Sequence, residues 1–287
     1  MDKSSTIFYD KPMFNKYGTK ILLYIVVVLG SVLMFLPFFW MVLTSLKMPQ
    51  EIQRMPMTWL PDNFFNMRNY FKVFSAQPFF RFFINSAIVT TGTTITSLFF
   101  CAITGYGFAK FKFPGKDIIF FGILSVLMMP FEITVIPLYL IFNALNLTNT
   151  YLGLMAPDLI SAFGVFLMRQ FIEGIPNDYI EAGRVEGASE FKIFFRLILP
   201  LLKPVLATLA VIKFLMVWND FLWPLVVVQD ISMKTLALGL SDFAGMWYTD
   251  YTVICAASFL TMIPTLIIFI MLQKYVVQGI TMSGLKG

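Results

Sequence analysis

Histidine is absent from this 287-residue chain, and only two cysteines occur, Cys101 and Cys255. The first absence removes the commonest general base and the commonest metal ligand, which disfavours an enzyme. The second, with each cysteine inside an apolar stretch, argues against a disulfide framework or a thiolate metal site. The cysteines are read as small packing residues. Charge is also scarce, at 13% of residues against about 25% in an ordinary soluble domain. So few charges cannot cover a water-facing exterior. The chain also has no glycine-rich Walker loop, so it is expected to bind no nucleotide or other cofactor itself. Its net charge of +5 is scattered between apolar segments and forms no basic face or arm, so nucleic acid is not an expected partner.

What is abundant is apolar sequence, 58% of the chain. An α-helix needs about 20 apolar residues to cross roughly 30 Å of hydrocarbon. Runs of that kind occupy residues 21–46, 82–109, 118–143, 151–171, 204–228 and 251–272. The first is too long for a signal-peptide core and lacks a small-x-small cleavage site. The expected fold class is therefore an all-α polytopic membrane protein with six transmembrane helices. Residues 1–20 and 275–287 read as tails, and residues 47–81, with Pro49, Pro56 and Pro61, as an irregular or partly helical connection into a core over 82–274. Basic loops stay on the cytoplasmic side. With the amino terminus inside, 14 of the 21 Lys and Arg residues fall in inner segments and 6 in outer ones. Both tails and the insert at 173–203 are thus expected in the cytoplasm, and segment 47–81 outside.

The insert interrupts the apolar pattern with five acidic groups, Glu173, Asp178, Glu181, Glu186 and Glu190. Five basic ones accompany them, counting Arg169: Arg169, Arg184, Lys192, Arg196 and Lys203. None suits a lipid-facing position. The run Ile175-Pro176-Asn177-Asp178-Tyr179-Ile180-Glu181-Ala182-Gly183-Arg184-Val185-Glu186-Gly187-Ala188-Ser189-Glu190, ending at Ile198-Leu199-Pro200, fits two short helices joined at Gly187. Asp178 with Glu181 suggests a capping box, and Gly187 a left-handed helix end. Ser189 is expected to cap the second helix. Phe191, Phe194, Phe195 and Ile198 fall at i, i+3, i+4 and i+7, an apolar stripe that either packs on protein or lies on the membrane surface.

This insert resembles the cytoplasmic loop of binding-protein-dependent ABC importer permeases, with a Glu-Ala-Ala opening, a later glycine and a closing Ile-x-Leu-Pro. Glu181, Ala182, Gly187, Leu199 and Pro200 match by position; Gly183 replaces the second alanine and Leu197 the isoleucine. Other stretches resemble the carbohydrate branch, the second permease of maltose-type systems in particular. They are Asn85-Ser86, Gly105-Tyr106-Gly107-Phe108-Ala109, Ile136-Pro137-Leu138-Tyr139, Trp218-Asn219-Asp220-Phe221 and Gly284-Leu285-Lys286-Gly287. The resemblance implies the type I ABC importer permease fold and a bacterial cytoplasmic membrane. It makes the insert a coupling loop that docks on an ATPase through Glu181, Ala182, Gly183, Arg184, Glu186, Gly187, Ala188, Leu199 and Pro200. It also implies a second, homologous permease, two cytoplasmic ATPase subunits that use ATP and Mg, and an extracytoplasmic solute-binding protein. Glu181 as a mere helix cap remains compatible with the sequence.

Four charged residues fall inside expected spans: Glu132, Asp158, Lys213 and Asp220. At 1.5 Å per residue, the three carboxylates share the outer half and Lys213 lies near the midplane. Each costs about 2.5–3.5 kcal/mol to insert, so each should face protein or an aqueous cavity. A sugar path could use these groups with Tyr139, Trp218 and Asn219, since carboxylates accept hydroxyl hydrogen bonds and rings offer apolar faces. The alternative is helix-to-helix pairing, for example Lys213 with a carboxylate. The cargo expected from the resemblance is a di- or oligosaccharide, with glycerol-3-phosphate as the alternative. A secondary transporter would be expected to show internal repeats, and none is visible.

Overall fold

The computed structural model describes the backbone of residues 13–244 and 249–284, and it contains helices and connecting loops with no strand among those residues. In chain order the helices are α1 (Met13–Ser45), α2 (Pro49–Ile52), α3 (Arg68–Ala76), α4 (Phe79–Lys110) and α5 (Lys116–Ser125). There follow α6 (Phe131–Ala144), α7 (Tyr151–Met155), α8 (Ala162–Glu173), α9 (Asp178–Val185) and α10 (Glu190–Ile193). The series closes with α11 (Leu199–Leu201), α12 (Lys203–Trp218), α13 (Leu222–Val227), α14 (Leu236–Leu240) and α15 (Tyr251–Gly284).

Among the described residues, three stretches are long and apolar enough to cross a membrane as single helices, Gly18–Ser45, Phe79–Lys110 and Tyr251–Met271. Three further candidate spans are bent helix pairs, and the third of them begins inside the 173–203 insert. Lys116–Met128 meets Phe131–Ala144 at 104°, Tyr151–Asp158 meets Ala162–Glu173 at 47°, and Glu190–Leu201 meets Lys203–Trp218 at 76°. Counting each bent pair as one span gives six. Proline explains the sharpest break: Pro130 has no N–H to donate and forces Met129 into an extended conformation, φ −94° and ψ 118°. The second follows Pro157, and helix resumes where Ser161 Oγ accepts a hydrogen bond from the Gly164 N–H at 3.2 Å. The run expected as one helix over 204–228 stops at Trp218 and restarts at Leu222. At the other end, α15 continues to Gly284, so most of the stretch expected as a carboxy tail is helical. Helix α1 likewise begins at Met13, inside the expected amino-terminal tail; residues 1–12 and 285–287 lie outside the described residues.

Helix α4 is central, packing most extensively on α8 and also on α12, while α15 packs on α12, α1 and α3. The inner core joins Tyr106, Met168, Ile172, Ile180, Ile193, Phe194 and Ile198. Two further clusters lie around Phe82 and Trp218, and around Trp223 and Val227. The first part of helix α1 stands clear of the bundle, while the helix also packs on α15. Its residues from Ile21 to Leu29 are exposed on every side, the pattern of a helix whose solvent is lipid.

Segment 47–81 is a stitched polar knot rather than a loose connection. Buried Lys47 donates to the Thr58 carbonyl and stands 4.7 Å over the Trp40 ring. Asn69 Nδ2 donates to the Ser45 and Lys47 carbonyls at 2.7 and 2.8 Å, capping the open end of α1. Thr252 Oγ1 donates to Asn69 Oδ1 at 3.1 Å, and Lys72 pairs with Asp250 at 2.8 Å, fixing the knot to the start of α15.

Candidate functional site

The 173–203 insert folds as a compact helical hairpin on the inner core. Gly187 closes α9 with φ +79°, the left-handed conformation that its lack of a side chain allows. Ser189 then opens α10 by accepting a hydrogen bond from the Lys192 N–H at 3.4 Å. Two expectations are corrected. Asp178 is the first residue inside α9 and no cap; Asn177 holds the cap position without a side-chain bond to the helix N–H groups, so the capping box does not form. The apolar stripe also shifts, because Phe194–Ile198 forms a π-helical turn. A π turn adds one residue and rotates the register. The buried set becomes Ile193, Phe194, Ile198 and Leu202, while Phe191 is 68% exposed and Phe195 46%.

The exposed side of the hairpin carries Tyr179, Glu181, Ala182, Arg184, Val185, Glu186 and Gly187. Val185 is 89% exposed, an aliphatic side chain that finds no cover within this chain. Beside it lies a hollow of about 500 Å³ lined by Pro176, Asp178, Tyr179, Ala182, Gly183, Glu186 and Leu197. Gly183 itself is buried, and a methyl there would stand 3.1 Å from Ile193 and 3.2 Å from Leu197, so the glycine lets the two arms close up. Ala188 and Leu199 are half-buried at the base, and Pro200 is exposed. Arg184 Nε donates to Glu190 Oε1 at 2.6 Å, and that guanidinium holds the Glu190 carboxyl below its ordinary value of 4.5.

The ionisable groups within the spans divide. Lys213, buried, pairs with Asp158, whose side chain is 44% exposed, and Asp220 lies within electrostatic reach of both. Asp220 Oδ1 also accepts from the Trp223 N–H at 3.4 Å, in the first turn of α13. Glu132 is exposed in the first turn of α6, and Tyr139 Oη accepts from Gln229 Nε2 at 3.4 Å. Neither joins the Asp158–Lys213 pair. Asn219 turns back on its own helix, donating to the Leu215 carbonyl at 2.8 Å. Trp218 does not join them either: it stacks on Phe214 and donates to the Thr261 carbonyl at 3.1 Å, packing α12 against α15. Lys213 with a carboxylate, the pairing alternative, is thus present.

The Asn85-Ser86 stretch has a specific use. Asn85 Nδ2 donates to the Ser232 and Lys234 carbonyls, each at 2.8 Å, and Oδ1 accepts from Tyr151 Oη at 2.7 Å. Ser86 Oγ accepts from the Leu236 N–H at 2.7 Å, so α4 moors residues 232–236. Residues 97–282 match the model of the family described as "Binding-protein-dependent transport system inner membrane component". This chain belongs to that family.

A permease of this family is a membrane transport component, not an enzyme. The chain is 34% identical to the arabinooligosaccharides transport system permease protein AraQ of Bacillus subtilis, covering 96% of this chain and 98% of that one. It is 32% identical to the lactose transport system permease protein LacG of Rhizobium radiobacter, over 89% and 93% of the two chains. Against the sn-glycerol-3-phosphate transport system permease protein UgpE of Pectobacterium atrosepticum it is 30% identical, over 94% and 98%. The fold is that of a chain in the crystal structure of a bacterial ABC transporter involved in the import of the acidic polysaccharide alginate. There the TM-score is 0.82 at 22% identity, covering 94% of this chain and 99% of that one.

Two features escaped the sequence. Tyr106, legible only as part of a motif, reaches the insert through Glu190 at 3.1 Å. Trp223 donates to the Gly153 carbonyl at 2.9 Å and locks α13 onto α7. Neither pairing has a local signal, since the partners stand 84 and 70 residues apart in sequence.

Proposed function

We propose that this chain is one of two permease subunits of an ATP-driven importer that carries a di- or oligosaccharide delivered by an extracytoplasmic binding protein. Both termini lie in the cytoplasm, and the 173–203 hairpin docks into a groove on the partner ATPase. The observation that carries the reading is the hairpin's division of faces. Ile180, Gly183, Ile193, Phe194 and Ile198 are buried in the permease core, while Tyr179, Val185 and Phe191 are exposed and Tyr179 borders an open hollow. An apolar surface held on a rigid base, with charges at its rim, is what a protein partner needs in order to push. On ATP closure of the ATPase pair, the hairpin moves as a lever and the permease halves rock between inward-open and outward-open.

Sugar suits the interior better than a phosphate ester. Lys213 is the basic residue deep in a predicted span, and it is already neutralised by Asp158. Carboxylates at Glu132, Asp158 and Asp220 accept hydroxyl hydrogen bonds and repel phosphate. The relatives AraQ and LacG, named for arabinooligosaccharides and lactose, support the same cargo class. The test is ATP-dependent uptake of labelled arabinotriose, lactose and glycerol-3-phosphate by the assembled importer with its binding protein. A sugar should accumulate and glycerol-3-phosphate should not; the reverse order would reject the cargo assignment.

A further inference from the structure

The last turn of α4 touches the coupling hairpin at two places on one helical face. Tyr106 and Lys110 are four residues apart, so their side chains lie one above the other. Lys110 Nζ donates to the Ile175 carbonyl at 2.5 Å and to Asn177 Oδ1 at 2.9 Å, at the entry to α9. Tyr106 Oη donates to Glu190 Oε2 at 3.1 Å, and the other oxygen of that carboxylate accepts from Arg184 Nε at 2.6 Å. The tyrosine therefore reaches the last turn of α9 and the first residue of α10 through one bridging carboxylate. Tyr106 is itself 4% exposed, with its ring 5.4 Å from Phe194 and 5.5 Å from Phe111.

We propose that this pair of contacts is a clamp by which the coupling hairpin drives α4, with Tyr106, Glu190 and Lys110 as positioning residues for transport. The inference rests on the docking role given above to the hairpin and adds which helix receives the motion. Apolar contact alone would let the hairpin slide along α4, because buried aliphatic and aromatic surface is non-directional. Hydrogen bonds at both ends of α9, one to a carbonyl and one through a charged carboxylate, fix both angle and register. Helix α4 then carries the displacement to the other end of the molecule, where Asn85 and Ser86 hold residues 232–236. A single rigid helix thereby joins the ATPase-facing hairpin to the opposite face.

The test uses the complete importer in proteoliposomes, with permease pair, ATPases and binding protein, and as probe whichever of arabinotriose, lactose and glycerol-3-phosphate the wild type accumulates with ATP. The readout is probe moved per ATP hydrolysed, with co-purification of the subunits as the check on folding. Tyr106→Phe keeps the ring and its packing but removes the donor; Glu190→Gln keeps the shape but removes the charge. Each should assemble normally and lower the ratio at least about threefold, and the double variant should fall no further than the worse single one, the signature of a shared contact. An unchanged ratio in both single variants overturns the clamp alone, as does a double effect equal to the product of the singles. If the wild type accumulates none of the three probes, the functional reading beneath the clamp is overturned with it.

Discussion

Replacing Asp158 with Asn takes from buried Lys213 the carboxylate it is paired with, and replacing both with apolar residues of similar size leaves no buried ammonium there. Breaking a buried pair costs about 3–5 kcal/mol, and the half-exposure of Asp158 puts this one at the lower end of that range. Asp158→Asn should therefore lower the thermal stability of the purified complex by several degrees, and Asp158→Leu with Lys213→Met should restore most of it. If that double variant also keeps its uptake, the pair is purely structural; if stability returns and uptake does not, the pair belongs to the path. Asp220→Asn asks the same of its neighbour, keeping the bond to the Trp223 N–H while losing the charge. A path role predicts reduced uptake at normal assembly, and unchanged uptake rejects it. At Glu190 the sign of pH dependence follows from its lowered value. Stability from the ionised group is full above the ordinary 4.5 and is lost only as pH falls through the lower folded value. Coupling should thus be flat from about pH 6 to 8, and a titration within that window would contradict the assigned Arg184–Glu190 pair.

Among elements, the hairpin gives the sharpest expectation. Gly187→Val places a β-branched residue at positive φ, which is strained whatever space surrounds it. The complex should then assemble poorly or hydrolyse ATP without responding to loaded binding protein; normal stimulation would remove the hairpin from coupling. The glycine turn and Ser189 cap were legible because each follows from local backbone chemistry. The register of the Phe191 to Ile198 stripe was not, because a π turn leaves no mark in the spacing of apolar residues. Helix breaks were equally hidden. Pro37, Pro137 and Pro264 sit inside continuous helices, while Pro130 stands at a 104° bend. In lipid, neighbouring groups can re-satisfy the backbone that proline frees, so tertiary contacts decide which proline breaks a helix.

At the scale of the whole molecule, six apolar runs were legible from composition and length alone, since the energetic demand of hydrocarbon acts on every residue of a span. Long-range pairings such as Tyr106 with Glu190 were not, because nothing local distinguishes a tyrosine that will meet a carboxylate. Orientation rests on the basic asymmetry and is open to labelling. In a Cys255→Ala background, Leu145→Cys should react with an impermeant thiol reagent on intact cells, and Lys192→Cys only after permeabilisation. Labelling of position 192 from outside would invert the topology and remove the hairpin from the ATPase. The most direct measurement of all is uptake into proteoliposomes that hold ATP inside and meet sugar-loaded binding protein outside. The account predicts that the wild-type importer accumulates sugar with ATP and not with ADP, and that Gly187→Val abolishes this accumulation. Equal uptake with ADP, or full uptake by Gly187→Val, would contradict it.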